Sequence, residues 1–487
     1  MSAISETGVV GSVDKDLFIG GKWVSATGGK TFPVKDPSTG DVLCEVADAS
    51  PADGVTALDA AVAAQADWAA VAPRERGEIL SRAYGLLIER RDELALLMTL
   101  EMGKPIAEAK GEITYAAEFF RWFAEEAVRI GGDYAVAPNG AGRFLVTRQP
   151  VGPTLLITPW NFPMAMGTRK IGPAIAAGCT MVIKPAAQTP LSMLALAAIL
   201  IEAGLPEGVL NVLTTTDSGG VMEPLIRDGR ARKLSFTGST AVGRKLLEQC
   251  AEKVLRTSME LGGNAPFVVF DDADLEAALD GVMQAKMRNI GEACTAANRI
   301  YVQRGLVAEF SRRLTERMSA LPMGRGTEDG VVVGPLIDEA AVTKVSSLVK
   351  DAVDRGARVL TGGSAVDGPG NFYPATVLVD VPSGAKLVSE EIFGPVAPIL
   401  TFDTEDEVVA AANDTEFGLV SYLYTSDLKR GLRVSERLEA GMIGLNQGIV
   451  SNPAAPFGGV KQSGLGREGG KVGIEEFLEI KYIAVNL

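Results

Sequence analysis

Lys233-Leu234-Ser235-Phe236-Thr237-Gly238-Ser239-Thr240-Ala241-Val242-Gly243 is a short strand-like run that ends in a glycine turn and opens a helical pattern. A glycine at Gly238 permits a tight turn and lets a ligand approach the backbone, while the helix N-terminus offers free N–H groups to a phosphate. Ser239 and Thr240 follow that glycine, so the spacing is not Gly-x-Gly-x-x-Gly, and both a dinucleotide site and an ordinary strand-to-helix turn fit it. The same rhythm extends on either side. Strand-like runs at 154–158, 180–184, 209–213 and 266–270 alternate with helical patterns. This alternation predicts an α/β fold with a parallel sheet covered by helices on both faces. Lys184-Pro185-Ala186 ends one run, where a lysine points into the crevice in which cofactors bind; a solvated strand-end lysine is the plainer alternative. Thr189 reads as the N-cap of the next helix and Pro190 as its first residue.

Before this region, residues 1–50 read as a tail followed by short strands and turns, and Asp53 to Ile130 carries a helical pattern that Gly131-Gly132 stops. Residues 133–150 are strand-like and polar, an excursion expected to pair outside its own domain. A second α/β series follows, with strands near 299–303, 375–379, 397–402, 420–425 and 442–446, and residues 479–485 form a final strand.

A chain of 487 residues is too long for one core, so two or three domains are expected. The formal net charge of −14 disfavours nucleic acid and anionic membranes as partners. No apolar run approaches the length of a membrane span. Residues 1–15 lack a basic stretch followed by an apolar core, so no signal peptide is read there and a cytoplasmic location is expected. The four cysteines, Cys44, Cys179, Cys250 and Cys294, have no metal-ligand spacing, and the first three read as structural. The chain contains no histidine, which excludes Ser-His-Asp triads, Cys-His pairs and His-Glu-x-x-His zinc sites. Acid–base chemistry must then use Glu, Asp, Lys, Tyr or Cys. Cys294 stands between a helix end and a strand start, in Met287-Arg288-Asn289-Ile290-Gly291-Glu292-Ala293-Cys294-Thr295. Small and polar neighbours there suit a reactive thiol, although free cysteines are more often buried and inert.

Seven stretches occur together in order: Pro159-Trp160-Asn161-Phe162-Pro163, Lys184-Pro185-Ala186, Phe236-Thr237-Gly238-Ser239-Thr240, 259–266 (Met-Glu-Leu-Gly-Gly-Asn-Ala-Pro), the Cys294 segment, Glu390-Glu391-Ile392-Phe393-Gly394-Pro395 and Pro456-Phe457-Gly458-Gly459. From about residue 17 onward the chain resembles the aldehyde dehydrogenase superfamily, and its 463–471 and 479–482 segments look closest to succinate-semialdehyde dehydrogenases. The resemblance implies a Rossmann-like cofactor domain at 1–132 and 151–262, a catalytic α/β domain at 263–470, and a small β oligomerisation element at 133–150 and 471–487. It implies Cys294 as the nucleophile, Asn161 and the Cys294 N–H as the oxyanion site, and Glu260 as the base that activates water. Lys170 and Glu468 match a proton relay behind Glu260. Trp160, Lys184, Ala187, Gly238, Ser239, Glu391 and Phe393 are the implied cofactor residues, with Glu391 at the nicotinamide ribose and Lys184 at the adenosine ribose or its 2′-phosphate.

For a semialdehyde acid, the resemblance assigns carboxylate binding to Arg169 and Arg288 with help from Ser451; a surface ion pair is the plain alternative for each arginine. Guanidinium suits the task because its fork binds carboxylate bidentately. NADP is the expected cofactor, with NAD used less well, because Ala187 stands where NAD-preferring relatives often carry a glutamate that repels a 2′-phosphate. Glu292 replaces a frequent glutamine and would disfavour the thiolate if it points at the sulfur. Ala296 replaces the second cysteine of some relatives, so no regulatory disulfide is expected. Broader action on glutarate semialdehyde or other aldehydes, and a non-catalytic NADP-binding protein on the same fold, are the alternatives. No metal is expected, and the expected assembly is a homodimer or homotetramer.

Overall fold

The computed structural model describes residues 5–486; Met1–Ile4 of the expected tail and Leu487 of the C-terminal element lie outside the described residues. Two large sheets dominate. The first has eight strands in the order Gly464–Leu465, Arg256–Glu260, Lys233–Thr237, Thr154–Ile157, Met181–Lys184, Leu210–Val212, Leu17–Ile19 and Lys22–Val24. Its five inner strands are parallel, and antiparallel strands close both edges. Thr154–Ile157, Met181–Lys184 and Lys233–Thr237 are buried at every position, as strands covered by helices on both faces must be.

Strand order reverses between the paired strands Thr154–Ile157 and Lys233–Thr237. Such a reversal opens a crevice at the carboxyl ends of the two strands, because their connections leave toward opposite faces. Pro159–Pro163 and Thr237–Thr240 both emerge there. The second sheet has seven strands in the order Arg358–Thr361, Thr376–Val379, Val396–Phe402, Ala297–Gln303, Ala265–Val269, Val420–Tyr424 and Met442–Leu445. All its pairings are parallel except that of Arg358–Thr361.

The helix Ile106–Glu126 positions much of the site. Phe119, Phe120 and Phe123 on it are completely buried, and it packs against the helices Pro73–Glu89 and Ala165–Ala177. Truncating one such phenylalanine to alanine costs about 3–5 kcal/mol, so the register of this helix is firmly set. The same face, one to three turns earlier, carries Glu108, Glu112 and Tyr115; the two carboxylates accept backbone N–H groups of Asn289, Met164 and Ala165, and Tyr115 reaches the cavity wall.

In a third, three-stranded sheet, Leu478–Val485 pairs along its whole length with Arg143–Pro150, which also pairs with Asp133–Val136. The expected excursion at 133–150 therefore joins the far end of the chain. Tyr134, Ile480 and Tyr482 remain exposed on it.

Several local expectations need correction. The helix after Lys184 runs Leu191–Glu202 with Pro190 at its N-cap position, one residue later than expected. Its free N–H groups at Leu191 and Ser192 donate instead to the buried Glu101 carboxylate, at 2.7 and 2.8 Å. A distant carboxylate thus replaces the local threonine cap, and Thr189 donates its hydroxyl to the Trp160 carbonyl. The N-terminal tail contains a helix, Glu6–Ser12, capped by Ser5. Arg256–Glu260 is a strand that its polar composition disguised, since Ser258, Met259 and Glu260 are all buried.

Candidate active site

Segments leaving three strands of the first sheet, and the loop entering Ala297–Gln303 of the second, enclose a cavity of about 240 Å³. Asn161, Glu260, Cys294 and Glu391 share its wall with Trp160, Gly238, Ser239 and Phe393, and with Arg169, Arg288 and Ser451. The fold thus brings these eleven residues, spread over nearly 300 positions of sequence, to one cavity.

Cys294 follows a strained turn. Asn289, Ile290 and Gly291 have successive φ values of 50°, 48° and 81°. Left-handed backbone is costly for a β-branched residue such as Ile290, so it persists only where surroundings enforce it. Burial pushes the Cys294 thiol up to about 12; Glu391 and Glu260 add to this, while Arg169 and Arg288 oppose it. The thiol is thus held protonated in the resting cleft.

Glu292, two residues earlier, turns away from the sulfur. Its carboxylate accepts the Ile337 N–H at 3.1 Å, and it is not part of the cavity wall. Burial raises its pKa well above the ordinary carboxylate value, against the pull of the Ile337 N–H. The expected electrostatic penalty on the thiol depended on Glu292 facing it, and that condition is not met.

Glu260 ends the strand Arg256–Glu260, and among the described residues neither of its buried oxygens has a hydrogen-bond donor. Burial, then Glu468, raises its pKa strongly, against the pull of Arg169, Lys170 and Arg467. A carboxylate made this basic and left without donors is suited to taking a proton from water. The close packing depends on Gly458, where a Cβ would come within 2.8 Å of Glu260 Oε1.

Lys170 and Glu468 lie behind the cavity wall. Lys170 Nζ donates to Glu468 Oε1 at 2.6 Å and to the Ser235 hydroxyl at 2.8 Å. Arg169 joins them: its Nε lies 3.3 Å from Glu468 Oε2, its Nη2 donates to the Tyr115 hydroxyl at 2.9 Å, and its guanidinium rests 4.1 Å from the Phe457 ring centre. Arg288 is less committed. It donates to the Ser451 hydroxyl at 3.2 Å and stacks on Phe162 and Tyr115.

Asn161 donates one amide N–H to the Glu292 carbonyl at 2.9 Å, which leaves its second N–H for another acceptor. On the nucleotide side, Ser239 caps the helix Thr240–Ala251, Glu391 accepts the Gly263 N–H at 3.0 Å, and the Trp160 and Phe393 rings meet edge to face at 5.4 Å. Burial raises Glu391 to about 7. Lys184 and Ala187 do not line this cavity. Lys184 is buried at its strand end, its Nζ donating, among the described residues, only to the Pro185 carbonyl, and burial lowers its pKa to about 8. Ala187 borders a separate cavity with Gln188, Thr216 and Asp36.

Phe162 and Phe457, quoted in the sequence stretches without a role, also line the main cavity, as do Tyr115 and Lys344, which were not singled out in the sequence. Tyr115 sits within an apolar helical pattern beside Phe119, where only the phenol oxygen hints at a second task. Among the described residues there is no metal-ligand cluster and no helix long and apolar enough to cross a membrane.

A thiol and a buried carboxylate on one cavity wall, next to a strand–turn–helix crevice of the dinucleotide-binding kind, make up the layout of a dehydrogenase. The chain belongs to the aldehyde dehydrogenase family, whose sequence model matches residues 23–483. It is 57% identical to a succinate-semialdehyde dehydrogenase of Paenarthrobacter nicotinovorans, over 91% of this chain and 99% of that one. It is 52% identical to a glutarate-semialdehyde dehydrogenase of Pseudomonas putida, over 97% of this chain and 98% of that one. The solved structure of an NADP-dependent enzyme from E. coli superposes with a TM-score of 0.96 at 53% identity, covering 98% of both chains. The expected fold class therefore holds.

Proposed function

We propose that this enzyme oxidises succinate semialdehyde to succinate with NADP. The observation that carries the reading is Arg288 with Ser451, a cation and a hydroxyl on the wall of the cavity that also holds Cys294. A carboxylate at the far end of a short aldehyde has a partner there, and desolvation makes that pairing selective. The similarity to succinate-semialdehyde dehydrogenase supports the same choice.

The residues fit the dinucleotide. A buried lysine with a single carbonyl contact, a helix N-terminus capped by Ser239 and a carboxylate on the cavity wall suit phosphate and ribose groups. NADP is favoured over NAD because Ala187 presents no negative charge near Lys184, and the NADP-dependent structural relative supports this. When bound, NADP supplies the hydride acceptor.

Cys294, once deprotonated, attacks the aldehyde carbon and forms a thiohemiacetal. The free Asn161 N–H and the Cys294 backbone N–H stabilise the developing oxyanion. Oxidation leaves a thioester on Cys294. Glu260 removes a proton from water, the resulting hydroxide equivalent breaks the C–S bond, and succinate leaves. Glu468 and Lys170 carry the proton away behind Glu260. Arg169, paired with Glu468, fixes that end of the path and shapes the substrate wall.

The same wall accepts a chain one methylene longer, and similarity to glutarate-semialdehyde dehydrogenase favours that substrate as the second reading. One methylene is worth only about 10- to 200-fold in selectivity. Residues 1–132 with 151–262 serve the cofactor and 263–470 the aldehyde. The exposed apolar face of the 133–150 and 478–485 sheet joins subunits in a dimer or tetramer. Initial rates with succinate semialdehyde, glutarate semialdehyde and butanal test the reading. A large kcat/KM advantage of both acids over butanal supports the arginine anchor, the ratio of the two acids names the substrate, and equal rates with butanal sink it.

A further inference from the structure

Buried groups outside the proposed mechanism converge on Asn161: Asn289 and Lys104 reach its backbone carbonyl, and the Glu292 backbone carbonyl accepts from its side-chain amide. Asn289 Nδ2 donates to both the Asn161 carbonyl and the Glu292 carbonyl, each at 3.0 Å. The Glu292 carbonyl is also the acceptor for Asn161 Nδ2 at 2.9 Å. Asn161, Glu292 and Asn289 thus close a small ring of hydrogen bonds between the two walls of the cleft. Asn161 leaves the first sheet, whereas Asn289 and Glu292 belong to the loop that delivers Cys294.

Helix Ile106–Glu126 and the residues just before it hold this ring. The Glu108 carboxylate accepts the Asn289 backbone N–H at 2.6 Å. Lys104 Nζ donates to the Asn161 carbonyl at 2.8 Å and to Glu112 at 2.5 Å. Glu112 also accepts the N–H groups of Met164 and Ala165, at 3.0 and 3.1 Å. Lys104, Glu112 and Asn289 are all nearly inaccessible, so each bond is made in a low-dielectric interior where breaking it leaves a buried group unpaired. Asn289 has φ +50°, a conformation asparagine tolerates better than most residues, so its type is suited to both the turn and the bridge.

We infer that Asn289 is a positioning residue for the oxyanion site: its side-chain amide, anchored through Glu108, locks the Asn161 carboxamide in the rotation that leaves one N–H facing the Cys294 side of the cleft. Without the bridge, the Glu292 carbonyl and the Asn161 backbone are free to move relative to each other, and the second N–H loses its aim. Oxyanion donors act only when held at the place where charge develops. The inference rests on the thiohemiacetal reading given above.

The test is a double-mutant cycle. Asn289→Gly keeps the left-handed backbone accessible and removes the bridge. It is expected to lower kcat about 10- to 100-fold, somewhat below the loss of a complete oxyanion donor, with little change in KM for NADP. In an Asn161→Ala background the same change is expected to lower kcat less than threefold, because its target is gone. Equal losses in both backgrounds overturn the positioning role. A wild-type kcat in Asn161→Ala sinks the oxyanion reading itself, and the inference with it. If Asn289→Gly fails to fold, Glu108 supplies the measurement: Glu108→Gln still accepts the Asn289 N–H and retains activity, whereas Glu108→Ala loses it. Matching activities for those two variants count against the inference.

Discussion

Arg288 and Arg169 line the same cavity, but Glu468 stands 3.3 Å from Arg169, and among the described residues no carboxylate is paired with Arg288. Arg169 is also nearly completely buried and bonded to Tyr115, whereas Arg288 is only half-buried and keeps the neutral Ser451 as its hydrogen-bond partner. The guanidinium with spare charge is the one that binds an incoming anion. Arg288→Ala is therefore expected to raise KM for succinate semialdehyde about 10- to 100-fold, the range for losing a charge-assisted hydrogen bond, and to leave butanal kinetics nearly unchanged. Parallel kinetics with both aldehydes check this, and equal losses on both would remove Arg288 from substrate binding.

Glu260→Gln separates the two halves of the reaction. The amide cannot take a proton from water, but the thiol chemistry does not need it. A first turnover of NADPH stoichiometric with active sites is expected in rapid mixing, followed by steady-state turnover about 10²- to 10⁴-fold slower than wild type. Mass spectrometry of the quenched enzyme should then find a succinyl adduct on Cys294. A variant that loses the first turnover as well would place Glu260 in thiol activation.

Thiol alkylation without cofactor reports the resting state of Cys294. Because its pKa is raised to about 12, the thiolate is scarce at neutral pH, and its fraction grows tenfold per pH unit below that value. Iodoacetamide inactivation is expected to accelerate with pH without a plateau through pH 9. Glu292 bonds to Ile337 rather than to the sulfur, so Glu292→Gln should leave this profile in place. A downward shift in the variant would mean that the Glu292 charge reaches the thiol.

Sequence patterns made the parallel sheets legible because their strands are short apolar runs bounded by turns, as in Thr154–Ile157 and Met181–Lys184. Arg256–Glu260 escaped that reading: its polar residues are buried by tertiary contacts that local composition does not encode. The helix cap at Leu191 escaped for the same reason, since its acceptor is Glu101, about ninety positions away. At the site, the turn at Gly238, Lys184 at its strand end and the loop around Cys294 carried local chemical cues, and the resemblance supplied their roles. Tyr115 and Asn289 carried none, because their contributions depend on Arg169 and on the Asn161 and Glu292 carbonyls across the cleft.

Cofactor choice turns on a charge that can be titrated. Lys184 is buried, and desolvation lowers its pKa to about 8. Below that pH it is an ammonium able to balance a 2′-phosphate; above it the neutral amine cannot. The ratio of kcat/KM for NADP to that for NAD is therefore expected to fall as pH rises through about 8, and taking the ratio cancels groups that affect catalysis with either cofactor. Ala187→Glu should lower the ratio at every pH, because its carboxylate opposes the phosphate and offers acceptors to the ribose hydroxyls of NAD. A loss of about 10-fold or more corresponds to one desolvated charge contact. The variant is also expected to raise the Lys184 pKa, since an adjacent carboxylate favours the ammonium, moving the fall in the ratio to higher pH. A ratio independent of pH in the wild type, and unchanged by Ala187→Glu, would show that neither residue meets the 2′-phosphate.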